Sequence, residues 1–236
     1  MTFLFNRYLK MNQKNHVEKL LRRSKEYINK FELEQSIDEI DLKEILGHLK
    51  SSLEYIAQDI YKKINNGDKS VYFPYGQTKE DFLNSIKKNK FENLLQKEFS
   101  DIYNLLKKLQ PFECNSNWLT TLSKLTNLTK HNSLVEVKRQ NIHGGYAISN
   151  FFSIAPDNCE NIIVRNCIVD GMPTGVMKFD GNNLSIIKAP HSDLPIYKLE
   201  KTILYLDDGS NLKVIPFLKE CYLNIFNFFK QIYIFI

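Results

Sequence analysis

Lys50 and Glu54 stand four residues apart in a run whose apolar positions keep helical spacing. One helix face can therefore carry them as an ion pair, worth roughly 0.3 kcal/mol when exposed. Tyr55 follows directly, and His131 closes a later helix, so an acid, a phenol and an imidazole can meet if the two helices are neighbours. Such a trio suits proton transfer, because histidine titrates near neutrality and burial raises a carboxylate toward it. The catalytic candidates are Glu54, Tyr55 and His131; the binding candidates are Lys50, Gln110, Lys130 and Asn132. A buried structural network needs the same residue types and no substrate, and it is the favoured expectation.

Several other chemistries are missing from the sequence. It holds no G-x-S-x-G elbow, no H-E-x-x-H, and no G-x-G-x-x-G after a strand, which removes the common hydrolase, zinc-protease and dinucleotide signatures. His143 before Gly144-Gly145 reads as a turn where a ligand can approach the backbone, without the lysine and Ser/Thr of a phosphate loop. Cys114, Cys159, Cys167 and Cys221 form no C-x-x-C pair, so reduced buried thiols are expected, with no metal and no cofactor. His48, one turn after Glu44, joins the Glu54 network or faces solvent.

To position these residues the chain needs long helices, and it has the pattern for them. An apolar fraction of 43% suffices for a continuous core. The stripe from Val17 to Phe31 predicts a first helix over residues 12–33, with residues 1–11 a loose arm. Ser36 with Glu39 reads as a capping box opening a second, longer helix that runs to Asn65-Asn66-Gly67. Phe73-Pro74-Tyr75-Gly76 is expected as an extended loop. Thr78 and Asp81 open a stretch ended by Gln110-Pro111-Phe112, and Asn115 to Asn117 cap a helix through Trp118 to Asn132.

After Ser133 the pattern turns to short β-rich runs separated by turn signals, among them 134–137, 147–154, 162–164, 175–179, 184–187 and 202–206. From Val214 a wide apolar stripe returns as a final helix, expected to be buried against the sheet or against another subunit. The expected class is α+β: an N-terminal bundle of four or five helices over 1–132, a mostly antiparallel sheet over 133–213, and a C-terminal helix over 214–236, in one compact domain.

Charge narrows the partners. Residues 133–236 hold ten of the 32 basic and ten of the 27 acidic residues, so the whole excess of +5 lies in residues 1–132. It is dispersed as pairs such as Arg22-Arg23, Lys62-Lys63, Lys87-Lys88 and Lys107-Lys108 beside apolar positions, the pattern of solvated helix faces. Nucleic acid is thus a possible but disfavoured partner. A membrane span is disfavoured too, because Lys219, Glu220 and Lys230 interrupt the last helix. The start, Met1-Thr2-Phe3-Leu4, carries no secretion pattern, and a cytoplasmic location is expected.

The order Leu49-Lys50-Ser51-Ser52-Leu53-Glu54, Phe73-Pro74-Tyr75, Gln110-Pro111-Phe112 and Thr129-Lys130-His131-Asn132 resembles a bacterial family of uncharacterised proteins with LRxxLDxL, FPI, QPY and DKHR at these places. The resemblance spans about residues 16–230 and implies a helical first half and a β-rich second half. Lys50, Glu54, Thr129 and Asn132 depart from the family pattern, so an activity needing the intact quartet is not implied. Small basic helical bundles also include HEPN-type ribonucleases, marked by an Arg, four to six residues, then a His. Arg139 and His143 are separated by three residues, so that match fails; Lys130 and His131 are the remaining candidates for a divergent relative. The expectation is a non-catalytic ligand- or protein-binding module of bacterial origin, acting where helices and sheet meet, with a homodimer through the last helix. The alternative is an RNA-cleaving toxin or defence effector.

Overall fold

In the computed structural model, residues 13–67, 69–131, 136–149, 152–155, 161–181 and 183–236 are described. The fold is α+β. The chain divides into two compact units, one holding residues up to Lys138 together with Tyr205–Ile236, the other Arg139–Leu204.

The helical unit begins with α1 (Lys14–Glu34) and α2 (Glu39–Asn65), packed as a hairpin. Asp38, and not Ser36, caps α2: its carboxylate accepts from Ile40 N at 2.8 Å, with Glu39 and Asp41 adding negative charge to the positive helix end. The predicted stop holds, with Asn66 left-handed at φ 50°. Leu42, Ile45, Leu46, Leu49, Leu53, Ile56 and Ile60 of α2 are all buried, each stabilising the fold by about 2 kcal/mol relative to exposure. That stripe is wide because α2 is packed by α1 and two later helices, α6 (Trp118–His131) and α7 (Val214–Ile232).

Between them, the stretch from Thr78 to Leu109 is not one helix. Thr78 and Asp81 form the expected capping box for α3 (Lys79–Lys88), but the chain breaks at Lys90, φ 62°. Two short 3-10 turns, Glu92–Leu95 and Lys97–Phe99, lead to α4 (Ser100–Lys108). A hydrogen bond from Phe91 N to Ile86 O closes α3 and lets Phe91 bury completely, a gain that outweighs an unbroken helix. Pro111 starts a single turn, α5 (Pro111–Cys114), where its missing N–H costs nothing.

The last helix, α7, packs on α1, α2, α4 and α6, so its buried stripe is covered within the helical unit. Its buried side includes Phe217, Leu218, Cys221, Ile225 and Phe228, and Phe228 meets Phe73 edge to face at 5.8 Å. Tyr233 donates to Asp59 at 2.6 Å and pins the end of α7 to α2.

Among the described residues the mostly antiparallel β unit comprises two three-stranded sheets and one two-stranded ladder. β1 (Val137–Ile148) lies between β2 (Phe152–Ile154) and β8 (Ile196–Leu206); β6 (Val176–Asp180) lies between β3 (Ile162–Arg165) and β7 (Asn183–Lys188); β4 (Ile168–Val169) pairs with β5 (Met172–Pro173). Gly144-Gly145, expected as a turn, sits inside β1. A Cβ on Gly144 would come within 2.9 Å of the Glu200 backbone, and one on Gly145, φ 119°, would overlap Ile154 O, so both glycines let neighbouring strands close on β1. Ile148, Val169, Met177, Phe179 and Leu194 form the unit's own small core. The expected strand over 134–137 falls largely outside the described residues, which resume at Glu136.

The helical unit's chain leaves at Lys138 and returns at Tyr205, and these points are neighbours. Asp207 N donates to Glu136 O at 2.9 Å, and Lys138 pairs with the Asp207 carboxylate.

Candidate functional site

Lys50 and Glu54 do pair, with Nζ 3.0 Å from Oε1, and their side chains are only 11% and 18% exposed. A pair this shielded is more than a surface contact, since each charge has lost most of its water and depends on the other. The ammonium also donates to Ser123 Oγ of α6 at 3.2 Å and lies 4.9 Å from the centre of the Tyr75 ring. Glu54 Oε1 makes no aligned hydrogen bond and is held by the ammonium charge; Oε2 accepts from Phe73 N at 2.7 Å.

The extended segment Phe73–Gly76 is the object of this network. An extended strap has no helix or sheet to satisfy its N–H groups, so side chains must do it. Glu54 takes Phe73 N, Ser85 Oγ takes Tyr75 N at 3.2 Å, and Gln110 Oε1 takes Gly76 N at 3.1 Å. Gln110 is fully buried, and its Nε2 donates to Leu106 O at 2.9 Å and more distantly to Pro74 O at 3.5 Å. Gly76 is required because a Cβ there would collide with the Phe82 backbone at the start of α3. Lys50, Glu54, Phe73–Gly76 and Gln110, far apart in sequence, thus form one device that straps the α2–α3 connection onto α2.

The other candidates are elsewhere. Tyr55 is one residue past Glu54 and so turned about 100° around α2; its ring meets His16 of α1 at 5.8 Å. Lys130 is exposed near the end of α6. His131 closes α6 eight residues after Ser123, about 12 Å along the helix axis, and its side chain lies outside the described residues, as does all of Asn132. The structure therefore joins Lys50, Glu54 and Gln110, and it directs Tyr55 to a different neighbour.

A second polar cluster lies between α1 and α2. Tyr27 donates to Glu44 Oε2 at 2.5 Å, Arg23 stacks 5.0 Å from the Tyr27 ring, and His48 Nε2 is 3.7 Å from Glu44 Oε1. His48 belongs here and not with Glu54. Burial pushes its imidazole below the usual range, partly offset by Glu44, and its Nδ1 has no partner. The Tyr27 phenol is raised, first by its bond to Glu44 and then by burial. Tyr233 is raised strongly by burial and by Asp59.

Sequence reasoning missed Ser123, Ser85 and Tyr27. Ser123 carried a usable signal: with Thr126 it places hydroxyls on the buried stripe of α6. Thr126 returns its hydroxyl to Leu122 O at 2.7 Å, while Ser123 accepts from Lys50. Ser85 gave no sign among the polar residues of α3.

Two open grooves lie on the helical unit. One, about 450 Å3, is lined by Cys114, Ser116, Pro216, Lys219, Glu220 and Leu223; the other, about 530 Å3, lies between α4 and Ile234-Phe235. Neither is lined by Glu54, Tyr55 or Gln110. Among the described residues no three His, Cys, Asp or Glu side chains gather as metal ligands. No described helix is long and apolar enough to cross a membrane. Comparison with protein-family models, with curated proteins and with solved structures found no match.

Proposed function

We propose that the chain is a non-catalytic binding module of a bacterial cell, with the Lys50–Glu54–Gln110 network serving as architecture and the β unit presenting the binding surface. The observation that carries this reading is the occupation of the candidate polar groups: both Glu54 oxygens, the Lys50 ammonium and both ends of the Gln110 amide are engaged within the fold. Diverting such a group to a substrate would leave its buried partner unpaired, which is costly. Ile163, Ile168, Ile186, Ile187 and Tyr197 of the β unit are each more than half exposed, and large apolar side chains left in water favour association with another polypeptide.

The alternative remains an RNA-cleaving toxin using His131 and Lys130. Exposure of Lys130 beside His131 at the close of α6 favours it, since a phosphate can reach that end. Expression in a bacterial host, together with incubation of the purified chain with single-stranded RNA, decides between the two. A binding module leaves growth and RNA intact. Slowed growth and RNA cleavage, both relieved by His131→Ala, would establish the nuclease and overturn the module.

A further inference from the structure

The C-terminal ends of α2 and α3 are joined. Asn65 Nδ2 donates to Lys90 O at 3.4 Å, Asn93 Nδ2 donates to Ile64 O at 3.2 Å and to Asn65 Oδ1 at 2.8 Å, and the Tyr61 and Phe91 rings meet edge to face. Lysines that the sequence disperses are thereby gathered at one end of the helical unit: Lys63, Lys69, Lys87, Lys88 and Lys90, all exposed. From Lys62 to Glu92 the described acidic residues are Glu80 and Asp81, in the first turn of α3 and so at its other end, and Glu92 itself; Asp68 lies outside the described residues. Lys63, Lys87 and Lys88 stand in last helical turns, where a cation complements the helix dipole without any ligand.

Lys69 and Lys90 stand beyond the helix ends and are not explained that way. Contact with the Lys90 ammonium holds Lys69 below the usual lysine range, so two like charges converge in solvent. Lys90 also takes the left-handed position that closes α3, φ 62°, a conformation that glycine or asparagine adopts at least cost. The other positive-φ residues among those described, glycine aside, are chiefly Asn. Strain kept at one residue points to a use for its side chain. Tyr72 adds an aromatic. It is 73% exposed between buried Val71 and Phe73, and three residues from Lys69 it stands within about 10 Å along the chain.

We propose that this end of the helical unit binds single-stranded nucleic acid, with Lys69 and Lys90 closing on one phosphate, the helix-end lysines on its neighbours, and Tyr72 stacking on a base. Gathered cations beside an exposed ring are the means by which a single strand is held without regard to its sequence. A phosphate between Lys69 and Lys90 turns their mutual repulsion into two attractions. An anionic membrane would be met by a helix with an apolar face turned outward beside its lysines. Here the apolar residues nearest them, Ile64, Ile86 and Phe91, are buried in the core. The surface is separate from the β unit, so the proposal goes beyond the binding-module reading and does not depend on it.

Fluorescence anisotropy of a labelled oligodeoxythymidylate of about 15 nucleotides, titrated with the full chain over a salt series, is the test. Thymidylate carries no 2′-hydroxyl, so binding is read apart from the RNA-cleavage assay. Neutralising about four phosphates gives a slope of about −3 for log K against log salt. Lys69→Ala and Lys90→Gly are each expected to weaken binding about threefold at low salt and to flatten the slope by about 0.7. Tyr72→Ala weakens it about tenfold with the slope unchanged. Lys90→Gly relieves the helix end and should unfold in urea no earlier than the parent, so its lost affinity is not lost structure. Absence of binding at about 50 mM salt, capture by phosphatidylserine vesicles but not by the oligonucleotide, or variants that bind as the parent does overturns the proposal.

Discussion

The helical unit hides polar side chains, whereas the β unit exposes apolar ones. Lys50, Glu54 and Gln110 sit inside the first with their polar atoms engaged, while Ile163, Ile186 and Ile187 of the second stand in solvent. Both are departures from ordinary sorting, and each carries a different meaning. A buried, satisfied polar group fixes one arrangement of backbone, in this case the strap at Phe73–Gly76. Exposed aliphatic side chains leave that unit's surface open to association. The protein thus keeps its buried polar network and its exposed aliphatic surface in different units.

Breaking the buried side of this comparison gives the largest expected effect. Glu54→Ala leaves Lys50 charged and largely desolvated, and strips Phe73 N of its acceptor, so a loss of about 3 kcal/mol is expected. Urea titration followed by circular dichroism measures it. Glu54→Gln keeps an acceptor for Phe73 N and should recover part of the loss. A shift under about 0.5 kcal/mol for Glu54→Ala would put the pair in the class of surface contacts.

Acid sharpens the comparison from within the helical unit. The folded His48 pKa is depressed, so between the unfolded value of 6.5 and the lower folded value the unfolded chain binds a proton that the folded chain does not. Stability therefore falls as pH drops below 6.5, by at most about 1.4 kcal/mol per pH unit, and levels off below the folded pKa. Glu44 and Arg23 face the imidazole and act in opposite directions, and Tyr27 lies across from it. His48→Gln should flatten this part of the stability profile, as read by melts in a pH series.

The smallest effect is expected from removing the β unit. Glu136, Lys138 and Asp207 already bring the two cut ends together, so replacing Arg139–Leu204 by a short glycine-containing turn should leave the helical melting temperature within about 3 °C, the equivalent of roughly 1 kcal/mol. Loss of helical circular dichroism would mean that the helices need the inserted strands.

Periodicity made the main helices legible because a 3.6-residue stripe survives any tertiary arrangement. The Lys50–Glu54 pair was readable for the same reason. The break at Lys90 was not, because it depends on Phe91 gaining a buried place that local sequence does not announce. Ser36 and Asp38 are both competent caps, and only the geometry of the helix start separates them. The role of Gln110 needed a partner 34 residues away, and the position of Gly144-Gly145 inside β1 needed knowledge of which strands press on it. Turn residues and close-approach residues are both glycine, so composition does not tell one from the other.

The bond from Tyr233 to Asp59 joins groups 174 positions apart. During synthesis α2 therefore waits, one flank bare, while the whole β segment is made before α7 arrives to cover it. Loop closure over such a span is slow, and the uncovered flank is rich in Leu and Ile. For that interval the nascent chain should be prone to aggregate, and its yield in a cell should depend on how fast the ribosome reaches the last helix.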